Sequence, residues 1–132
     1  MGGQQLLLIL LGVLIVGVAI AIGIGIFTDN AAIHNREAVT NDVIHLGART
    51  REYYRTPKNL GGGGNSYDGL SDIAQLTSQP LNMNGDYTLT NAGDKIIITG
   101  IGKERGYDGA TPLRINMTVL PDTFYIDFSS GN

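Results

Sequence analysis

The hydropathy of the chain has three successive textures. From Leu6 to Phe27 it reads LLLILLGVLIVGVAIAIGIGIF, with no polar residue. At 1.5 Å per helical residue, about 22 residues reach roughly 33 Å, enough to cross the hydrocarbon of a bilayer. Leu, Ile, Val and Phe dominate, and each favours insertion by about 0.3–0.6 kcal/mol at mid-membrane. Gly12, Gly17, Gly23 and Gly25 interrupt the run. In a helix interior each costs about 1 kcal/mol relative to Ala. Small residues serve close helix packing in lipid, or they mark a helix built to unwind locally when it leaves lipid.

The second texture is amphipathic. From Asn30 to Tyr54 the sequence is NAAIHNREAVTNDVIHLGARTREYY. Val39, Val43, Leu46 and Tyr53 recur at helical spacing, with Ile33 on nearly the same side, and predict one apolar stripe. Asn35, Asp42, Arg49 and Glu52 are expected on the opposite side. Glu37 and Asp42 come early while Arg49, Arg51 and Arg55 come late, which suits the helix dipole. Thr28 or Asp29 is a candidate N-cap. Pro57 ends the pattern, because the residue before proline disfavours helical geometry. No strong break separates the two stretches, so we expect one helix of about 50 residues, apolar and then amphipathic.

The third texture has a period of two. After a long connection carrying Gly61-Gly62-Gly63-Gly64, with a helical turn expected within Leu70–Leu76, the pattern predicts four strands. They are Tyr87–Thr90, Lys95–Ile101, Leu113–Leu120 and Thr123–Phe128. Turn signals at Asn91–Asp94 and Pro121-Asp122 separate neighbours. Leu113, Ile115, Met117 and Val119 share one face, and Phe124, Ile126 and Phe128 share one face of the last strand. The expected fold is α+β, a long N-terminal helix packed against a four-stranded antiparallel meander, with one face apolar. The helix stripe is the only sizeable cover in sight. Residues 1–27 are thus a transmembrane or filament-core helix, 28–56 its amphipathic continuation, 57–84 a Gly-rich αβ loop and 85–132 the sheet of the head.

Composition narrows the function. The chain has 132 residues and no Cys, so neither a disulfide nor a thiol nucleophile is available. Roughly 100 residues remain for a soluble head, a size that buries a modest fraction of its surface. Net charge is −3, and every charged side chain lies at or after Asp29. A nucleic-acid binder would carry a basic stripe, and this head has none. His34 and His45 lie three helical turns apart, about 16 Å, too far to share a metal. The Gly run lacks the Gly-Lys-Ser/Thr of a phosphate loop, and reads as a turn or a close backbone approach. Asp68-Gly69 and Asp108-Gly109 are turn signals. The Asp108 loop is a weak cation candidate, without the dense oxygen pattern of a calcium loop. Asn116-Met117-Thr118 spells a glycosylation sequon inside a predicted strand, with Asn116 outward. No catalytic constellation and no cofactor motif emerges, so the chain reads as a non-enzyme.

Met1-Gly2-Gly3-Gln4-Gln5 carries no Lys or Arg. Membrane anchors orient themselves by basic flanks. The bare flank reads as a chain whose short basic leader has been removed before Met1. An uncharged start, an apolar helix running into an amphipathic one, an αβ loop and a four-stranded meander together resemble bacterial type IV pilins and pseudopilins. The stretches GGQQLLLILLGVLIVGVAIAIGI and REYYRTPKNLGGGGNSY are similar to an uncharacterised pilin-like subgroup with Gln at the fifth position.

The resemblance implies a structural role. A prepilin peptidase would remove the leader and Met1 would be N-methylated. Subunits would wait in the inner membrane until a pilus assembly machine extracts them into an extracellular filament, a helical homopolymer with bundled N-terminal helices at its core. Met1, Gln4, Gln5 and Leu6 would dock against neighbours, and Gly12, Gly17, Gly23 and Gly25 would permit unwinding. The chain departs from the family pattern at Gln5, where pilins usually place Glu. It also lacks the proline common in the unwinding region and the cysteine pair of many heads. The leading expectation is a major pilin; a minor pilin or secretion pseudopilin, and an unrelated membrane-anchored binding domain, are the alternatives.

Overall fold

Residues Gly2–Arg55 form a single α-helix, α1, in the computed structural model, which describes residues 2–106 and 109–130. Strands β1 (Gly85–Asn91), β2 (Ile96–Arg105), β3 (Pro112–Val119) and β4 (Phe124–Ser130) make one sheet in the order β1-β2-β3-β4, all neighbours antiparallel. The fold is α+β, as the pattern predicts. Short 3-10 turns at Lys58–Leu60 and Ile73–Gln75 punctuate the connection. Asp72 caps the second, its carboxylate accepting from Ala74 N while Gln75 reaches back to the Asp72 amide.

The chain divides into two units, residues through Ile33 and the head from His34 onward. The first is helix alone. No N-cap interrupts it at Thr28 or Asp29; Thr28 Oγ1 instead donates to Ile24 O one turn back, a bond that lets a polar residue stay inside a helix.

The head is built on one helix face. Val39, Val43 and Leu46 of α1 are buried with Ile96 and Ile98 of β2, Leu113, Ile115, Met117 and Val119 of β3, and Tyr87 of β1. Gly100 on β2 lies under Val39 and Val43; a Cβ there would meet Val43 Cγ2 at 2.8 Å and Val39 Cγ1 at 3.0 Å. Its missing side chain is what lets helix and sheet approach so closely. Gly47 makes the matching approach to Met117 and Val119.

Four expectations need correction. First, α1 is not the only cover: Tyr67, Leu70, Ile73 and Leu76 of the connection are buried in the same core. Tyr67 packs on Tyr54 with ring centroids 4.8 Å apart. Second, Phe124 and Phe128 sit opposite Val119 and Ile115, on the core-side face as expected, yet are 44% and 52% exposed. The helix packs closely on Gly100 of β2 and on Met117 and Val119 of β3, while of β4 only Ile126 is packed against the core. Third, Ile33 is 45% exposed and lies outside the buried stripe. Fourth, Asn35, Asp42 and Arg49 face the head, not the opposite side: each makes a hydrogen bond to it. Their seven-residue spacing holds them on one flank of the apolar stripe. Strand bounds also moved slightly. β2 runs to Arg105, past a register shift after Ile101, where a loop from Gly102 was expected.

The Gly run is an ordered cap on α1. A helix leaves its last carbonyls without partners. Here Gly63 N donates to Tyr53 O (2.8 Å), Asn65 N to Tyr54 O (2.7 Å) and Gly64 N to Thr56 O (2.9 Å). Gly61 and Gly64 take left-handed φ of 87° and 58°, which glycine adopts without a steric cost. At Gly63 a Cβ would overlap the Ser66 carbonyl oxygen.

Candidate functional site

Two regions hold the residues that function would draw on, one in each unit. The first is the apolar stretch of α1. Every residue from Leu6 to Phe27 is exposed, with large side chains at 53–77% of their full area. α1 is long and apolar enough to cross a membrane, and this end of it is fitted for membrane anchoring. An apolar surface on all sides of a helix requires lipid or other apolar partners. Gln4, Gln5 and Leu6 lie in its first turns, all exposed. Gly12, Gly17, Gly23 and Gly25 are helical, with no other atom within 4 Å of where a Cβ would sit. Each leaves a notch on the helix surface. Met1 lies outside the described residues.

The second region is a polar cluster in the head, centred on Asp42. Asp42 Oδ2 accepts from the Tyr87 hydroxyl on β1, from Asn84 Nδ2 (2.9 Å) and from Asn82 Nδ2 (3.2 Å). One carboxylate oxygen therefore joins α1, β1 and the segment before β1. Burial pushes the Asp42 pKa up, but the hydrogen bonds from Tyr87, Asn84 and Asn82, with the charge of His45, outweigh it and hold it below the usual carboxylate value. The Tyr87 phenol is raised far above its ordinary value, by burial first and then by its bond to Asp42. Above this cluster, Asn35 Oδ1 accepts from the amides of Lys103 and Glu104, and its Nδ2 donates to Asn84 O. Below it, Arg49 donates to Leu76 O. A small cavity of about 80 Å³ lies between Asp42, His45, Arg49, Thr77, Asn82 and Tyr87.

The chemistry of this cluster is that of a fastener. Tyr87 is 3% exposed, and its hydroxyl is committed to Asp42. No group of three or more metal-ligating side chains occurs among the described residues. His34 and His45 are both exposed on α1. Asp108 lies outside the described residues. Asn116, the sequon residue, sits in mid-β3, half-buried, with its Oδ1 accepting from Thr99 on β2 (2.9 Å), and the sequon's Thr118 is buried. The sequence reading missed the Asp42 cluster because it placed Asn35, Asp42 and Arg49 on the solvent side. Their spacing of seven, in step with Val39, Leu46 and Tyr53, carried the signal.

Compared with protein-family models, curated proteins and solved structures, the chain finds no match.

Proposed function

We propose that this chain is the structural subunit, the major pilin, of a type IV pilus-like filament. The observation that carries the reading is α1 itself. One unbroken helix, Gly2–Arg55, is apolar on every side over its first half and clamps a four-stranded head over its second. The apolar half suits two environments in turn. In the inner membrane, its neighbours are lipid tails. In a filament, they are the same segments of other copies, and the notches at Gly12, Gly17, Gly23 and Gly25 favour close approach. The chain then needs no cofactor and no active site. Its partners are the membrane, a prepilin peptidase, the assembly machinery and itself, and its final location is the cell surface.

Gln5 gives the second reading its footing. A neutral amide cannot pair by charge with the N-terminal amine of a neighbour as the family's Glu does, although it can accept a hydrogen bond from it. A minor pilin or pseudopilin at a filament tip needs that pairing less.

Electron microscopy of surface material sheared from the native cells separates these readings. A major pilin yields filaments in which this chain is the dominant protein. A minor subunit appears in such filaments only in trace. Absence of the chain from every filament, with all of it retained in the membrane, would overturn both. Mass spectrometry of the same material should find an N-terminal Met1 carrying a methyl group.

A further inference from the structure

The connection between Thr77 and β1 is attached to the head in an unusual way. No side chain from Ser78 to Asn84 is buried, and Leu81 and Met83 are 63% and 94% exposed. Apolar burial therefore contributes little to holding it. Polar bonds hold it. Along β1, Tyr87 N donates to Pro80 O (2.9 Å), Asn82 N donates to Gly85 O (3.1 Å), and Leu81 bridges to Asp86. Across to α1, Asn82 and Asn84 both donate to the Asp42 carboxylate, and Asn35 donates to Asn84 O (2.7 Å). Asn82 Oδ1 closes the turn internally by accepting from Asn84 N and Gly85 N.

β1 is an edge strand of the sheet. An edge strand presents unpaired main-chain groups to any other chain, and proteins commonly cover them. Residues 80–82 are that cover at the Gly85–Tyr87 end of β1.

We infer that residues 78–84 form a releasable strap over the β1 edge, latched to α1 by the single carboxylate of Asp42. Lifting it uncovers the Gly85–Tyr87 edge and the small cavity beside Asp42, and leaves the apolar core closed. The groups facing the latch fit this role. Tyr87 on β1 donates to the carboxylate directly, His45 and Arg49 on α1 line the same cavity, and the strap's own contributions, Asn82 and Asn84, are neutral. The negative charge at Asp42 is thus the strongest acceptor the strap has, and removing it weakens two of the three bonds to α1 together, leaving Asn35 to Asn84 O as the third. The opened edge is a site for adding a strand, such as that of a second copy.

Hydrogen–deuterium exchange on the full chain in detergent micelles at neutral pH tests the strap. Asp42→Asn should speed exchange in a fragment spanning 80–87 by at least about tenfold, while fragments covering 96–101 and 113–119 keep their protection. The double variant Asn82→Ala/Asn84→Ala, which leaves the Asp42–Tyr87 bond in place, should open the same fragment. Unchanged exchange at 80–87 in both variants would show that Asp42 is no latch. Exchange rising equally across all three fragments would show that the strap belongs to the cooperative core. Either result overturns the inference, and neither depends on whether the chain forms filaments.

Discussion

The Tyr87 hydroxyl on β1 donates to the same Asp42 oxygen that holds Asn82 and Asn84, so one helix carboxylate fastens the edge of the sheet. A hydrogen bond to a charged acceptor contributes about 1.5–3 kcal/mol when buried. Asp42 is only half-buried, so water offsets part of the loss. Tyr87→Phe should therefore destabilise the head by about 1–2 kcal/mol. Its thermal midpoint falls by several degrees, with the far-ultraviolet spectrum unchanged below the transition.

The same pair sets opposite limits on pH. Asp42 is held below the usual carboxylate value in the folded head. Its contribution is fully present above the unfolded value of about 3.9, and is lost as pH falls through the lower folded value. Tyr87 is raised in the folded head. Its contribution is fully present below the unfolded value of about 10 and fades as pH rises beyond it. Denaturant titrations across pH should show stability declining at both ends. Asp42→Asn should flatten the acid limb, and Tyr87→Phe the alkaline one.

Gly63 and Gly12 should respond in opposite ways to the same substitution. A methyl at Gly63 collides with the Ser66 carbonyl and breaks the cap on α1. Gly63→Ala should cost about 1–3 kcal/mol in head stability, measured by chemical denaturation. At Gly12 the added methyl meets nothing, and helix propensity rises by about 1 kcal/mol. Gly12→Ala should leave membrane levels intact, and should lower filament yield if the helix unwinds there during assembly.

Phe128 and Ile115 are register partners with different fates. Ile115 is fully buried and Phe128 is half exposed. Ile115→Ala should cost about 2–5 kcal/mol, and Phe128→Ser less than about 1.5 kcal/mol, by urea unfolding of the full chain in micelles.

Gln5 tests docking. If its amide accepts from the Met1 amine of a neighbour, Gln5→Leu removes the acceptor and adds apolar surface suited to lipid. Sheared filament should decrease while the membrane pool holds steady. Normal filament yield would show that Gln5 plays no part in registering subunits.

Most of the fold was legible because it rests on periodicity. The apolar run, the Val39–Val43–Leu46 stripe and the alternation along β3 each announce an element through one face. What escaped was anything decided by distance between elements. Phe124, Ile126 and Phe128 alternate as a core strand does, but alternation cannot report how far the helix reaches across the sheet. The Gly run carried no periodic signal, since its purpose is to bring main-chain amides to carbonyls of Tyr53, Tyr54 and Thr56. The Asp42 cluster joins residues 40 to 45 positions apart, and nothing local marks Asn82 or Tyr87 as its partners. Leu70, Ile73 and Leu76 read only as a helical turn in the connection, yet they close the core.

The hollow at Gly100, filled from above by Val39 and Val43, also fixes an angle. Those two side chains enter it as teeth enter a socket. Turning the helix by one residue, about 100°, would withdraw both and present Asn35 or Asp42 to the apolar strands. The helix is therefore rotationally indexed on the sheet. A slip along its axis or about it is opposed by shape before any charge is considered.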